Sequence, residues 1–159
     1  MRKIIALSLA FLVIASCKKR ETAQGPEQFI VGFWAMTDLE LNGNFNFMGT
    51  PIPITGEGEN YQGGFDIKSG NTTDYNVTCD VIMNIPGIGQ QNFPFERIGS
   101  GTWSLTNNNS ELRVEESDGS VTIFPIKVLT ENLMIVEQDS AFTFMGASGN
   151  LEYEVTLEK

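Results

Sequence analysis

The sequence predicts an all-β fold, an antiparallel up-and-down β-barrel of about eight to ten strands. Apolar residues recur at every second position through most of the chain after Phe29, which is the period of a half-buried strand. Short turns rich in glycine, asparagine and serine separate these segments. No stretch of this region has a convincing helical period. A β-sandwich built from the same strands is the alternative that these observations leave open.

Residues 1–16 are predicted to be an export signal. Arg2 and Lys3 precede a short apolar run of twelve residues, 4–15, whereas a membrane-spanning helix needs ~20. The sequence that follows, Ile14-Ala15-Ser16-Cys17, resembles the lipobox of bacterial lipoproteins. That resemblance implies that Cys17 is acylated and becomes the first residue of the mature protein. An ordinary secretory signal cleaved in the same region is the alternative.

Acylation of Cys17 would attach the protein to a membrane without a spanning helix. Several acyl chains together hold a protein stably at a bilayer. The resemblance therefore implies a protein anchored in the cell envelope, at the outer membrane of a Gram-negative bacterium. Residues 17–28 would be the lipidated cysteine and a tether, because Glu21 to Gln28 lack apolar periodicity. Residues 29–159 would be the folded domain.

The charge and composition of the domain exclude several functions. From Glu27 onward the chain holds 5 basic and 19 acidic residues, a net charge of −14, which repels nucleic acid. It contains no histidine to act as a base near neutral pH. We therefore expect no enzymatic activity, no catalytic residue and no cofactor. The acidic clusters lack the spacing of a dedicated calcium loop, so no metal site is expected either. With Cys17 acylated, Cys79 is the only thiol left, and the alternation around it predicts that it faces the core.

The first half of the domain is predicted to contain a bent strand and a tight turn. Phe29 to Leu41 alternates, but the apolar positions change face after Met36, which predicts a bulge or bend. Asn42-Gly43 follows, the strongest two-residue hairpin signal. Two prolines between Thr50 and Ile54 then predict a sheet edge or an extended loop.

The second half is more regular. Thr72 to Met83 is predicted to be a long strand, and Gly99-Ser100-Gly101 a turn. Further turns are predicted at 69–71, 107–110 and 117–119. The last strand alternates without exception from Leu151 to Leu157, which predicts that its apolar side chains face inward.

Two glycine–tryptophan pairs resemble a known family. Gly32-Phe33-Trp34 resembles the Gly-x-Trp of lipocalins, and the run from Gly101-Thr102-Trp103 to Asn132-Leu133 resembles small bacterial lipocalin-like lipoprotein domains. The resemblance covers about residues 28 to 159. It implies a lipocalin-like barrel whose base is supported by Gly32, Trp34 and Trp103. The proline-rich middle, from Thr50 to Phe95, departs from that pattern and leaves the width of any cavity open.

Three Phe-x-Phe units, at 45–47, 93–95 and 142–144, supply candidate ligand contacts. Residues i and i+2 of a strand share a face, so each unit sends two rings to the same side. Aromatic rings and flexible methionines suit apolar ligands, although the same rings could simply fill the core. Two units continue as Met-Gly, and the candidate ligand-binding residues are Phe45, Phe47, Phe142, Phe144 and Met145.

Together these features predict a lipid-anchored, exported binding module. We expect a monomer that sequesters a small apolar or amphipathic ligand in its barrel and touches the membrane through its acyl chains. The alternative is a cell-envelope interaction protein with a filled core. It would bind a protein or glycan through the apolar loops at 48–55 and 85–91.

Overall fold

The computed structural model describes residues 25–144 and 146–159, apart from the side chains of Phe47, Phe142, Phe144 and Ala147. Cys17 and Met145 therefore lie outside the described residues. A short helix, α1 (Pro26–Ile30), precedes eight strands. These are β1 (Gly32–Phe47), β2 (Thr50–Ile67), β3 (Thr72–Ile85), β4 (Gly89–Thr106), β5 (Glu111–Glu116), β6 (Val121–Leu129), β7 (Leu133–Phe144) and β8 (Ala147–Glu158).

The eight strands form one antiparallel sheet that closes on itself in chain order, with β1 paired to β8. The prediction of an all-β antiparallel fold is confirmed, and eight strands is the lower limit of the predicted eight to ten. Six strands run between a lower end, with α1 and the turns 68–71, 107–110 and 130–132, and an upper end, with the turns 48–49 and 86–88. The short strands β5 and β6 start at the lower end, and the turn 117–120 that joins them lies partway up the sheet, beside Ser100 and Gly101 of β4. Within the described residues, no helix is long and apolar enough to cross a bilayer.

The predicted bulge in β1 is confirmed, and β2 bends at the same level. The pairing of β1 with β8 shifts register between Met36 and Asp38. Before this point the buried side chains are at even-numbered positions, and after it they are at odd-numbered positions. The hydroxyl of Tyr61 accepts a hydrogen bond from the Leu39 backbone N–H at 3.0 Å. It also donates to the Gly58 carbonyl at 2.7 Å. A side chain of β2 thus accepts a hydrogen bond from a backbone N–H at the β1 bulge.

The predicted turn at Asn42-Gly43 is wrong, because β1 continues to Phe47. Gly43 lies inside the sheet, and a Cβ there would overlap the carbonyl oxygen of Asn150 on β8. The glycine therefore permits close strand packing rather than a turn. The chain reverses at Met48-Gly49, where both residues have positive φ, 51° and 83°.

The turn predicted at Gly99-Ser100-Gly101 is also wrong, for a similar reason. β4 runs unbroken through Gly99-Ser100-Gly101, because Gly99 leaves the space that the Tyr75 ring occupies on the neighbouring strand. The stretch from Thr50 to Ile67 is one strand, and its first residues pair only with β1, so the prolines lie at a sheet edge as one of the two alternatives predicted. The helix α1, in a region expected to be tether and first strand, was not predicted.

The lower end is packed tightly around Trp34. This side chain is 0% exposed, and its indole N–H donates to the Ile30 carbonyl at 2.6 Å. The Nζ of Lys159 lies 4.5 Å from the centre of the ring and donates to the Phe29 carbonyl. The helix α1 is joined to the start of β1 and also contacts β6 on the far side of the closed sheet. It therefore crosses the lower end. Trp103 is also buried there and donates to the Lys68 carbonyl.

Cys79 faces the core, as the alternation of residues around it predicts. Its burial should make the thiol unreactive. Burial raises the pKa of its thiol to about 11, and the charge of Asp80 adds to the effect. Raising the pKa from 9.0 to about 11 lowers the thiolate fraction at pH 8 about 100-fold.

We expect labelling of Cys79 by a thiol reagent, followed by mass spectrometry of its peptide, to be at least that much slower in the folded protein than in urea. The raised pKa also means that stability should fall as pH rises from about 9 to 11, where the unfolded chain loses the proton first. Equal labelling rates in both states would contradict the buried position.

Candidate functional site

The closed sheet has a gap in its upper half, above the short hairpin of β5 and β6. Only the last part of β4, Gly101–Thr106, pairs with β5. Only the first part of β7, Met134–Val136, pairs with β6. Above those levels, Gly89–Gly99 of β4 and Glu137–Phe144 of β7 pair with another strand on one side only. We call this opening between β4 and β7 the side gap.

The inner face of β4 is accessible beside the side gap. Along β3, the inward residues are buried, including Val77, Cys79 and Val81. Their partners on β4 are only half-buried: Arg97, Phe95 and Phe93. Two aromatic rings and a guanidinium on an inward face are thus partly open to solvent, and an entering molecule would meet these groups first.

Behind that face lies an apolar cavity of about 150 Å³. It is lined by residues of β1, β3, β4 and β8, namely Leu41, Val81, Met83, Phe93, Pro94, Phe95, Leu151 and Tyr153. The hydroxyl of Tyr153 is the polar group in this lining, and burial raises its pKa. A cavity of this volume can hold a single ring or a short aliphatic chain.

A polar cluster built on Arg97 forms the floor of the side gap. Its Nη2 donates to Glu116 Oε1 at 2.8 Å and to Thr122 Oγ1 at 3.0 Å. Its Nη1 donates to Gln138 Oε1 at 3.4 Å. The side chain therefore connects β4 with β5, β6 and β7 at the level where the pairing between these strands ends. We call Arg97, Glu116, Thr122 and Gln138 the arginine cluster.

Aromatic rings position the guanidinium from two sides. The central carbon of Arg97 lies 5.5 Å from the centre of the Tyr75 ring and 5.3 Å from that of Phe124. The hydroxyl of Tyr75 is buried without a hydrogen-bond partner. Burial raises its pKa, and the nearby carboxylate of Glu116 raises it further. The cluster is therefore a charged, partly solvated site with apolar walls.

Of the five predicted ligand contacts, only Phe45 has a described side chain, and it is not among the residues that line the cavity. Phe45 is 2% exposed and packs in the core of the upper half. The side chains of Phe47, Phe142 and Phe144, and all of Met145, lie outside the described residues. Gly32, Trp34 and Trp103 lie at the lower end, roughly 20–30 Å along the strands from the cavity.

Sequence reasoning missed Arg97, although a signal was present. Phe93, Phe95 and Arg97 follow one another at two-residue spacing, so whichever face holds the rings also holds the guanidinium.

Other concave regions have less suitable chemistry. A groove of about 390 Å³ on the outer face is lined by polar and acidic side chains, including Glu40, Glu57 and Glu59. Another, of about 440 Å³, lies at the lower end beside Glu27 and Trp103. Both are open to solvent to about the same degree as the apolar cavity, but their linings are more polar. Among the described residues, no three or more acidic or cysteine side chains converge in an arrangement that could hold a metal ion.

Comparison with known proteins adds no functional assignment to this geometry. No protein family, no curated protein and no solved structure matches the chain.

Proposed function

We propose that this protein is a lipocalin-like, lipid-anchored binding module of the cell envelope. It takes a small apolar or amphipathic molecule through the side gap into the upper half of the closed sheet. The observation that carries this proposal is the half-exposed inner face of β4, where Phe93 and Phe95 border the apolar cavity. An apolar wall reachable from solvent gains about 25 cal/mol for each Å² that a ligand covers.

The dimensions of the cavity limit the size of the ligand. Sites for drug-sized molecules occupy about 300–1,000 Å³, whereas this cavity measures about 150 Å³. We therefore infer a ligand with one ring or a short chain, with any larger portion remaining in the side gap. Retinoid-sized molecules are too large for the described cavity.

The anchor belongs to the same proposal. Cys17, acylated after removal of residues 1–16, would hold the protein at the outer membrane through a tether that ends at α1. Since α1 lies at the lower end, the side gap and the upper turns would face away from the attachment point. Replacement of Cys17 by serine should move the protein from the membrane pellet to the soluble fraction.

A second candidate function has its own supporting observation. Met48 and Ile88, at the tips of two upper turns, are 91% and 46% exposed. Both lie in the apolar loops expected to contact a partner if the protein is an interaction module. Exposed apolar residues at neighbouring turns suit a protein or glycan surface, and this function does not need the cavity.

Calorimetric titration with toluene and with hexanol tests the first function. We expect dissociation constants on the order of 0.1–1 mM, as suits ligands of so few atoms. Tryptophan fluorescence is a poor readout, because both tryptophans lie at the lower end.

A matched pair of variants locates the binding site. Val81→Phe fills the cavity and should abolish binding, whereas Ile98→Phe adds a ring on the outer face and should not. Thermal unfolding verifies that both variants are folded. Binding that survives Val81→Phe in a folded protein would contradict the interior site.

A further inference from the structure

We propose that Arg97 binds the carboxylate of a small apolar acid, and that Glu116 occupies this position while the site is empty. The proposal rests on the interior binding function and names the class of ligand. In the bound state, the ligand's carboxylate replaces that of Glu116 beside the guanidinium. The apolar part of the acid then occupies the cavity behind Phe93 and Phe95.

Arg97 is the one basic side chain on the inner face of the sheet within the described residues. The other four are engaged elsewhere. Lys68 pairs with Asp66 and Asp74 beside the lower turn, and Arg113 pairs with Glu115 on the outer face. Lys127 pairs with two outer-face glutamates, and Lys159 binds the Phe29 carbonyl at the lower end. An acid that enters the side gap therefore meets a single cation.

The guanidinium has donors to spare. The three hydrogen bonds of the arginine cluster use three of its five N–H groups. The Tyr75 hydroxyl is buried beside the guanidinium and the Glu116 carboxylate, and it becomes a further donor when that carboxylate leaves. A carboxylate offers two oxygens with about four acceptor positions and pairs well with a planar guanidinium. Together with the N–H group that Glu116 releases, the unused donors match the head group of an acid.

Glu116 is placed so that its carboxylate can move away from Arg97 into solvent. It is the last residue of β5, next to the turn 117–120, and its side chain is 24% exposed. A rotation of this side chain would bring its carboxylate into water. The exchange returns one carboxylate to solvent as another leaves it, so the desolvation costs of the two nearly cancel. Burial of the ligand's apolar part then favours the bound state.

The distance between the arginine cluster and the cavity suits one small molecule. Phe95, in the cavity wall, precedes Arg97 by two residues on the same face of β4, about 7 Å away. Tyr153, also in the wall, is the strand partner of Gln138, which contacts Arg97. A ring or short chain that carries a carboxylate reaches from one to the other.

Two pairs of probes, each made of an acid and a neutral compound of similar size, test the need for a carboxylate. Benzoate and hexanoate are titrated by calorimetry against benzamide and hexanol, with wild type and with Glu116→Gln. Removal of the internal carboxylate should tighten binding of the acids about tenfold, the factor given by 1.4 kcal/mol. Binding of the amide and the alcohol should change less than about twofold, since their oxygens do not compete for the charge.

The double variant Arg97→Gln, Glu116→Gln serves as the control. It leaves no unpaired charge in the interior, so it should fold, and it should bind each acid no better than its neutral analogue. In addition, association of benzoate with wild type should be faster at higher salt, because salt screens the net charge of −14 from Glu27 onward.

The outcomes separate the two proposals. If acids and neutral analogues bind equally to wild type and to Glu116→Gln, the arginine site is refuted and the interior binding function stands. If no probe binds to any folded variant, the binding function fails and the arginine site fails with it. Tighter acid binding to Glu116→Gln, lost in the double variant, supports both.

Discussion

Trp34→Ala is expected to lower the free energy of unfolding by about 3–5 kcal/mol, the largest loss for any single truncation at the lower end. Trp34 is fully buried, pairs with Phe65 across β1 and β2, and holds α1 through its hydrogen bond to the Ile30 carbonyl. Its removal leaves a cavity and also frees Lys159 from the ring. Urea unfolding followed by circular dichroism measures the loss.

The neighbouring residue provides a matched control. Phe33 is 56% exposed on the opposite face of β1, so Phe33→Ala should change stability by no more than about 0.5 kcal/mol. Trp34→Phe keeps an aromatic ring but removes the indole N–H, and an intermediate loss is expected. Similar losses for Phe33→Ala and Trp34→Ala would show that the closed lower end is not organised around this indole.

Gly63→Ala is expected to cost about 2–4 kcal/mol, because two penalties combine at this position. Gly63 has a φ of +76°, which L-residues with a Cβ rarely adopt. A Cβ there would also overlap the backbone carbonyl of Asn76 on β3. Relief of that overlap must separate β2 from β3 at the bend. Urea unfolding and amide hydrogen exchange of β2 and β3 test this.

Gly70→Ala is the control for that substitution. Gly70 lies in an exposed lower turn with open space around the position of a Cβ and without a positive φ. The variant should be between unchanged and about 1 kcal/mol more stable, since alanine restricts the unfolded chain. If Gly63→Ala were equally harmless, the bend of β2 would not depend on this glycine.

Alternation alone predicts the fold class and much of the core. The change of apolar parity after Met36 correctly locates the bulge, and the regular pattern of the last strand correctly places Leu151 and Leu157 inside. These predictions succeed because the period of two reflects burial on one face of a strand, which holds along its whole length.

Glycine is the main source of error, because it serves two purposes in this sheet. Gly43 and Gly99 allow close approach of a neighbouring backbone or ring, but in the sequence they are indistinguishable from turn glycines. The true turn at Met48-Gly49 requires positive φ from a methionine, which is an unusual residue in that conformation.

The candidate site could not be predicted for a further reason. The side gap arises because β5, with 6 residues, is much shorter than β4, with 18. Such a mismatch of strand lengths becomes visible only when the register is known. Arg97 gains its interior partners from three other strands, which no local pattern in the sequence specifies.

The most direct test of the account is a crystal structure of the protein soaked with bromobenzene, with the anomalous signal of bromine used to locate the ring. One main bromine peak is expected in the upper interior, in contact with Phe93, Phe95 and Tyr153. A main peak at the exposed tips formed by Met48 and Ile88, with the interior left empty, would contradict interior binding and favour a surface interaction module.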